Sequence, residues 1–331
     1  MTDFDKLFDD ISKLHVGVIG DAMLDTYWWG NVDRISPEGP VPIVAVTKKE
    51  QRIGGAGNVA LNVRALDTDV ALITVLGNDD EGKQLKDLLE KNNIDTDFIL
   101  LSENKITTHK IRIIGRNQQM MRLDAEHPHD LEEDIEKEFL QYVENYIVQK
   151  KPDLIILEDY NKGVLTPAVI KKIIDLCKAN NIICAADPKR KNFFSYSGVT
   201  IFKPNLKEVK ESLHILSDEV NVLQLSEMHD HLKEKLHHDI SLITLSEKGV
   251  FYKSEKGGNI IPSHIRNVAD VSGAGDTVIA VAALVYVAAH DVTLMAEIAN
   301  IAGGLVCEEV GTAAINKEKL LMECRELLNN K

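Results

Sequence analysis

Short, continuous apolar runs alternating with helix-period segments constrain this chain more than any other feature. Residues 16–20, 70–76, 154–157, 182–186, 199–202 and 242–245 read as strands buried on both faces. Between them, Leu131, Ile135, Phe139, Val143 and Ile147 recur at helical spacing, and residues 168–179 do likewise. Strands that alternate with helices predict an α/β fold, a doubly wound and mainly parallel sheet flanked by helices. Ligands then belong at the carboxyl ends of the strands. A chain of 331 residues with 44% hydrophobic but only 5% aromatic residues suits such a Val/Ile/Leu/Ala core.

Two stretches break the rhythm. Residues 27–47 hold three prolines, two tryptophans and the alternating Val41, Ile43 and Ala45, and residues 107–123 alternate Lys110 and Arg112 with Ile111 and Ile113. Both read as strands of a small additional sheet, an insertion within one domain spanning 1–331. A net charge of −14 argues against nucleic-acid and anionic-membrane partners, which need a basic footprint. The apolar run 278–289 is too short to span a bilayer, and residues 1–12 lack a signal-peptide layout. Cys177, Cys184, Cys307 and Cys324 are scattered, suggesting neither a zinc site nor a disulfide framework, and the expected location is the cytoplasm.

Two glycine clusters carry the chemistry. In Asp270-Val271-Ser272-Gly273-Ala274-Gly275-Asp276-Thr277, small residues precede an apolar helix whose first N–H groups lack partners, a cradle for developing negative charge. Asp276 at its lip can accept a hydroxyl proton while the amides of Gly273, Ala274 and Gly275 steady a phosphoryl group. The alternative is a loop with a helix cap. Upstream, Gly54-Gly55-Ala56-Gly57-Asn58 opens a second apolar-periodic segment. Phosphoryl transfer requires alignment and charge neutralisation above all, which these elements can supply. A dinucleotide-dependent dehydrogenase is excluded, because residues 16–20 are not followed by a Gly-x-Gly-x-x-Gly turn.

Together these clusters resemble the two signatures of the ribokinase-like (PfkB-type) carbohydrate kinases, and the likeness runs from Gly20 to Thr312. The resemblance implies ATP as co-substrate, Asp276 as base, and a sugar held by Asp25, Asp21, Gly54, Gly55 and Asn58. It implies that Asn205 and Glu208 position Mg²⁺ through water, although Asn and Glu at this spacing equally form a helix capping box. Lys203, Ser246, Glu247, Gly249, Asn300 and Gly303 fall where the family borders ATP, with Ser246 replacing the usual Gly. A monovalent cation is a further option. The small sheet becomes a lid at about 27–47 and 107–123 that pairs subunits into a homodimer.

The runs at residues 34–42, 116–119, 122–124, 158–163 and 187–189 resemble the branch that phosphorylates the anomeric hydroxyl of D-glycero-D-manno-heptose 7-phosphate, on the route to ADP-heptose for lipopolysaccharide. Asp187 joins the substrate candidates there. A phosphorylated substrate needs cations, for which Arg112, Arg116, Arg122 and Lys162 stand available. Some relatives carry a nucleotidyltransferase domain with a His-x-Gly-His element that this chain lacks, so only the kinase step is expected. The rival readings are the same chemistry on ribose, fructose or a fructose phosphate, and a non-catalytic sugar or nucleotide sensor.

Overall fold

The computed structural model describes residues 2–116, 118–216 and 220–329; Asn117 of the 116–119 run lies outside them. The chain begins α1 (Phe4–Ser12), β1 (His15–Gly20), β2 (Ala22–Ile35), β3 (Pro42–Gly55), α2 (Ala56–Arg64), β4 (Asp69–Gly77), α3 (Asp80–Lys91) and β5 (Ile99–Ser102). It continues β6 (Thr108–Gly115), β7 (Gln118–Ala125), α4 (Glu133–Lys150), β8 (Leu154–Glu158), α5 (Pro167–Ala179), β9 (Ile183–Asp187), β10 (Ile201–Phe202) and α6 (Leu206–Leu213). It closes with α7 (Val222–Leu236), β11 (Ile240–Thr244), β12 (Val250–Ser254), β13 (Gly257–Ile261), α8 (Ala274–Ala289), α9 (Val292–Val306) and α10 (Lys317–Leu328).

Nine strands form the main sheet in the order β13-β12-β11-β10-β9-β8-β1-β4-β5. Seven run parallel, and β12 and β13 add an antiparallel edge. Because side chains alternate across a strand, the sheet feeds two cores. Val16, Val18 and Leu72 pack with α1, α2, α8 and α9 on one face. Ile19, Ile73, Ile155 and Leu157 pack with α4, α5 and α7 on the other. Helix α8 is apolar all round and buried from Thr277 to Val285, as expected of a helix sandwiched in the core. The expected strand at 199–202 pairs only at Ile201–Phe202, where the ladder contacts both neighbours.

Strands β3-β2-β6-β7 form a separate four-stranded sheet. Its strands are longer than the sequence suggested. The β2–β3 hairpin pairs from Ile35↔Pro42 down to Ala22↔Gly55, so its base rises directly from the end of β1 and returns directly into α2. One hairpin therefore carries both Asp25 and the Gly54-Gly55 cluster to the mouth of the main sheet. Register divides the small sheet into two faces: Asp25, Tyr27, Lys110, Arg112, Arg122 and Asp124 share one, and Trp28, Ile111, Ile113, Met121 and Leu123 the other.

Candidate active site

The register of the parallel strands lines up acidic residues at their carboxyl ends. Gly20 lies beside Glu158, which lies beside Asp187, and β10 then leads into Lys203. Helix α8 points its first turn at this edge, so Asp276 joins them. Oxygens of Glu158, Asp187 and Asp276 come within 4.8 Å of one another, all buried. Glu158 is fully buried with no hydrogen-bond partner on either oxygen, and burial followed by repulsion from Asp187 and Asp276 pushes its pKa well up. A buried carboxyl without partners is costly unless a proton or cation satisfies it. Hard oxygen donors gathered in this way fit a divalent cation such as Mg²⁺.

Asp276 is held from two sides. Asn58 Nδ2 donates to Oδ2 at 2.7 Å, and the Tyr160 hydroxyl donates to Oδ1 at 2.8 Å. Burial raises its pKa to about 6; the Asn58 and Tyr160 hydrogen bonds restrain the rise and Asp187 adds to it. Tyr160 itself is pushed well above the usual phenol range, by burial first and then by Asp276, so it remains a donor. Asn62 braces the arrangement from below. It donates to Asn58 O at 2.9 Å, and its Oδ1 accepts from Thr277 Oγ1 and Ile315 N, both at 3.0 Å.

The glycine turn before Asp276 needs its glycine. Gly273 has φ +79°, and a Cβ there would stand 2.7 Å from Asn58 Nδ2. Ala274 N–H departs from expectation, because it donates to Val271 O at 3.3 Å and is drawn into the turn. Gly275 faces the ion pair of Lys203 Nζ with Asp187 Oδ2, 2.8 Å apart. That pair is almost wholly buried, so Lys203 is no solvated lysine. Lys189 lies 3.8 Å from Asp187 and 3.4 Å from Glu208; burial opposes its charge, but those carboxylates outweigh it and raise its pKa.

Several expected ligands turn out to be occupied. Asp21 accepts from Tyr160 N, Lys162 N and Val164 N, so its carboxylate organises the loop after β8. Arg116 leaves the site altogether: it sits at the far end of the small sheet and donates to Val32 O at 2.7 Å. Asn205 and Glu208 close a reciprocal capping box at the start of α6. Glu208 still reaches the cluster through Lys189. Asn300 donates to Pro262 O at 2.9 Å, and Gly303 lets α9 approach Val278 of α8. Ser246 and Glu247 line a groove of about 620 Å³ with α6, and Gly249 turns the chain into β12 beside Ile261.

Others do converge. Asp25 is buried and paired with Arg112 at 2.5 Å. Gly54 packs against Asp25, and Gly55, at φ +59°, passes so close to Asp21 O that a Cβ would collide at 2.3 Å. Glu158, Tyr160, Lys189 and Asn62 were not assigned roles from sequence. The first three lie within runs quoted for their likeness, but their convergence on Asp276 depends on sheet register.

A mainly parallel sheet with its acidic edge facing a glycine-started helix, under a small second sheet, is the architecture of a sugar kinase. The chain belongs to the pfkB family of carbohydrate kinases, whose pattern matches residues 13–319. Among curated relatives, it is 40% identical over 310 residues to the bifunctional protein HldE of Aliarcobacter butzleri, covering 93% of this chain. It is 38% identical over 306 residues to the Helicobacter pylori protein of the same name, covering 92%. The chain spans 64% and 65% of the length of those two relatives. Among solved structures, Arabidopsis thaliana ribokinase with ribose and ATP superposes with a TM-score of 0.70 at 17% identity, covering 93% of this chain and 99% of that one. Escherichia coli phosphofructokinase-2 with potassium gives 0.76 at 15%, covering 94% and 99%.

Proposed function

We propose that this protein transfers the γ-phosphoryl group of ATP to the anomeric hydroxyl of D-glycero-D-manno-heptose 7-phosphate. The observation that carries the reading is Asp276, buried at the first turn of α8 and oriented by Asn58 and Tyr160 beside a glycine-lined helix start. The 35–40% identity to HldE proteins, together with the runs noted above, supports the heptose phosphate within the family.

In this mechanism the sugar lies between Asp25, Gly54 and Asn58. Asp276 accepts the proton of the anomeric hydroxyl as its oxygen attacks the γ-phosphorus, and the bond to the β,γ-bridging oxygen breaks to release ADP. The N–H groups of Gly273 and Gly275 and the Lys203 ammonium steady the charge that spreads over the phosphoryl oxygens. Glu158 and Asp187 would hold Mg²⁺, with Asn205 and Glu208 acting at its edge through water; the ion supplies charge neutralisation for the triphosphate. Tyr160 keeps the carboxylate of Asp276 aimed and near its working pKa. The small sheet is a lid, and its apolar outer face, with Met121 54% and Leu123 45% exposed, is the surface through which two subunits pair. An ADP-release assay across heptose 7-phosphate, fructose 6-phosphate, fructose and ribose tests the reading. Turnover of fructose or ribose without heptose 7-phosphate overturns it.

A further inference from the structure

The lid face turned toward the site carries more cations than anions. Asp25 is held by Arg112, Asp124 by Arg122 at 2.8 Å, and Glu126 by Lys162 at 2.8 Å. Lys110, placed between Asp25 and Asp124 by register, is left over: among the described residues it makes no ion pair within 4.0 Å. Lys105 also has no carboxylate partner among them; its ammonium donates to Lys162 O at 2.7 Å. Both lysines are half-buried. Burial lowers both pKa values; Asp21 opposes this at Lys105 and Asp25 at Lys110, while the Lys162 charge adds to it at each. Of these three ammonium groups, only Lys162 has a carboxylate within 4.0 Å among the described residues. Lys110 and Lys105 therefore keep ammonium donors available to an entering anion.

Position says which anion. Lys110 Nζ stands 5.7 Å from the centre of the Tyr160 ring, whose hydroxyl binds Asp276. One phenol therefore separates the unpaired ammonium from the proposed base. A sugar that presents a hydroxyl to Asp276 extends its far end toward Lys110. We infer that Lys110, with Lys162 beside it and Lys105 behind, binds a phosphate carried by the sugar, and so selects phosphorylated over neutral acceptors. Lysine suits this task as a point charge that follows a rotating phosphate.

This inference rests on the proposed sugar-kinase site, and the test separates the two. Full-length wild-type, K110M, K110R and K162M proteins are assayed with heptose 7-phosphate, fructose 6-phosphate and their dephosphorylated forms, with KM for ATP measured alongside. K110M is expected to raise KM for the phosphorylated sugar by about 30-fold or more, to leave KM for ATP within about 2-fold, and to erase most of the preference over the neutral sugar. K110R is expected to restore part of that preference. Unchanged discrimination in K110M overturns the lysine assignment while leaving the kinase reading intact. Wild-type turnover of fructose 6-phosphate but not heptose 7-phosphate overturns the heptose assignment, and K110M on that substrate still decides the lysine. A wild-type preference for neutral sugars overturns both.

Discussion

Asp276 combines two demands that oppose each other. Burial among Glu158 and Asp187 raises its pKa to about 6, close to where a general base works, yet keeps an unfavourable charge inside the fold at neutral pH. The sign follows from proton binding. A carboxyl whose folded pKa is raised holds its proton longer in the folded than in the unfolded chain, so stability falls as pH rises through that window. Asp276→Asn is therefore expected to melt higher than wild type at pH 8, with the gain shrinking toward pH 4; thermal unfolding across pH measures this. Activity has its own acid limb, because the base must be deprotonated. Tyr160→Phe removes a hydrogen bond that restrains this pKa, so the acid limb should move to higher pH and kcat should fall about 10-fold. A pH–rate profile with an unmoved limb would show that Tyr160 does not tune the base.

At the scale of elements, the β2–β3 hairpin does more than cover the site. Arg52 on β3, held by Glu50 at 2.7 Å, donates to the carbonyls of Val310 (2.5 Å) and Thr312 (3.1 Å). Gly311 between them donates to Asp270, which also accepts from Ser272 immediately before Gly273. A chain of contacts therefore runs from β3 to the glycine turn. Arg52→Ala should lower kcat about 10-fold or more while the protein stays folded, and Arg52→Lys should recover part of it. Deeper down, Asn62→Ala leaves the amide or carbonyl partners in α2, α8 and the C-terminal loop unsatisfied, with an expected loss of about 2–3 kcal/mol in denaturant unfolding.

The elements themselves were largely legible. Buried strands announce themselves as Val/Ile/Leu runs, and β1, β4, β8, β9 and β11 fall where those runs lie. Asp276 and Asn58 stand out in the sequence as motif residues, but the hydrogen bond that joins them is visible only in the fold. What could not be read was pairing at long range. Asp21 and Asp25 look alike in sequence, yet one is spent on three amides of the loop after β8 and the other faces Arg112. Glu158 and Tyr160 acquire meaning only when parallel register sets β8 against the start of α8. The missing partner of Lys110 is visible only when every neighbouring carboxylate has been assigned.

Over the whole molecule, the two cores differ in what they bury. The face covered by α7 holds His229 and His238 around Ser241, at 2.9 and 2.6 Å, and burial lowers their pKa values from 6.5 to about 4 and about 3. Both stay neutral in the fold while the unfolded chain takes up protons below about pH 6.5. Stability from this source is complete above pH 6.5 and is lost progressively as pH falls toward 4. Melting temperature should decline over that interval, and the double variant His229→Gln, His238→Gln should flatten the decline. An equal slope in the variant would place the acid sensitivity elsewhere. The described residues include no helix long and apolar enough to cross a membrane, and the four cysteines are free. The proposed pairing through the small sheet predicts a dimer for the wild type by light scattering and a monomer once Met121 and Leu123 are replaced with lysine.

The most direct measurement is ADP release by Asp276→Asn against wild type with heptose 7-phosphate, with ATP binding titrated in parallel. Turnover should drop by about 10³-fold while nucleotide affinity stays within about 2-fold. A variant that keeps turnover within about 10-fold of wild type would contradict the assignment of Asp276 as the base.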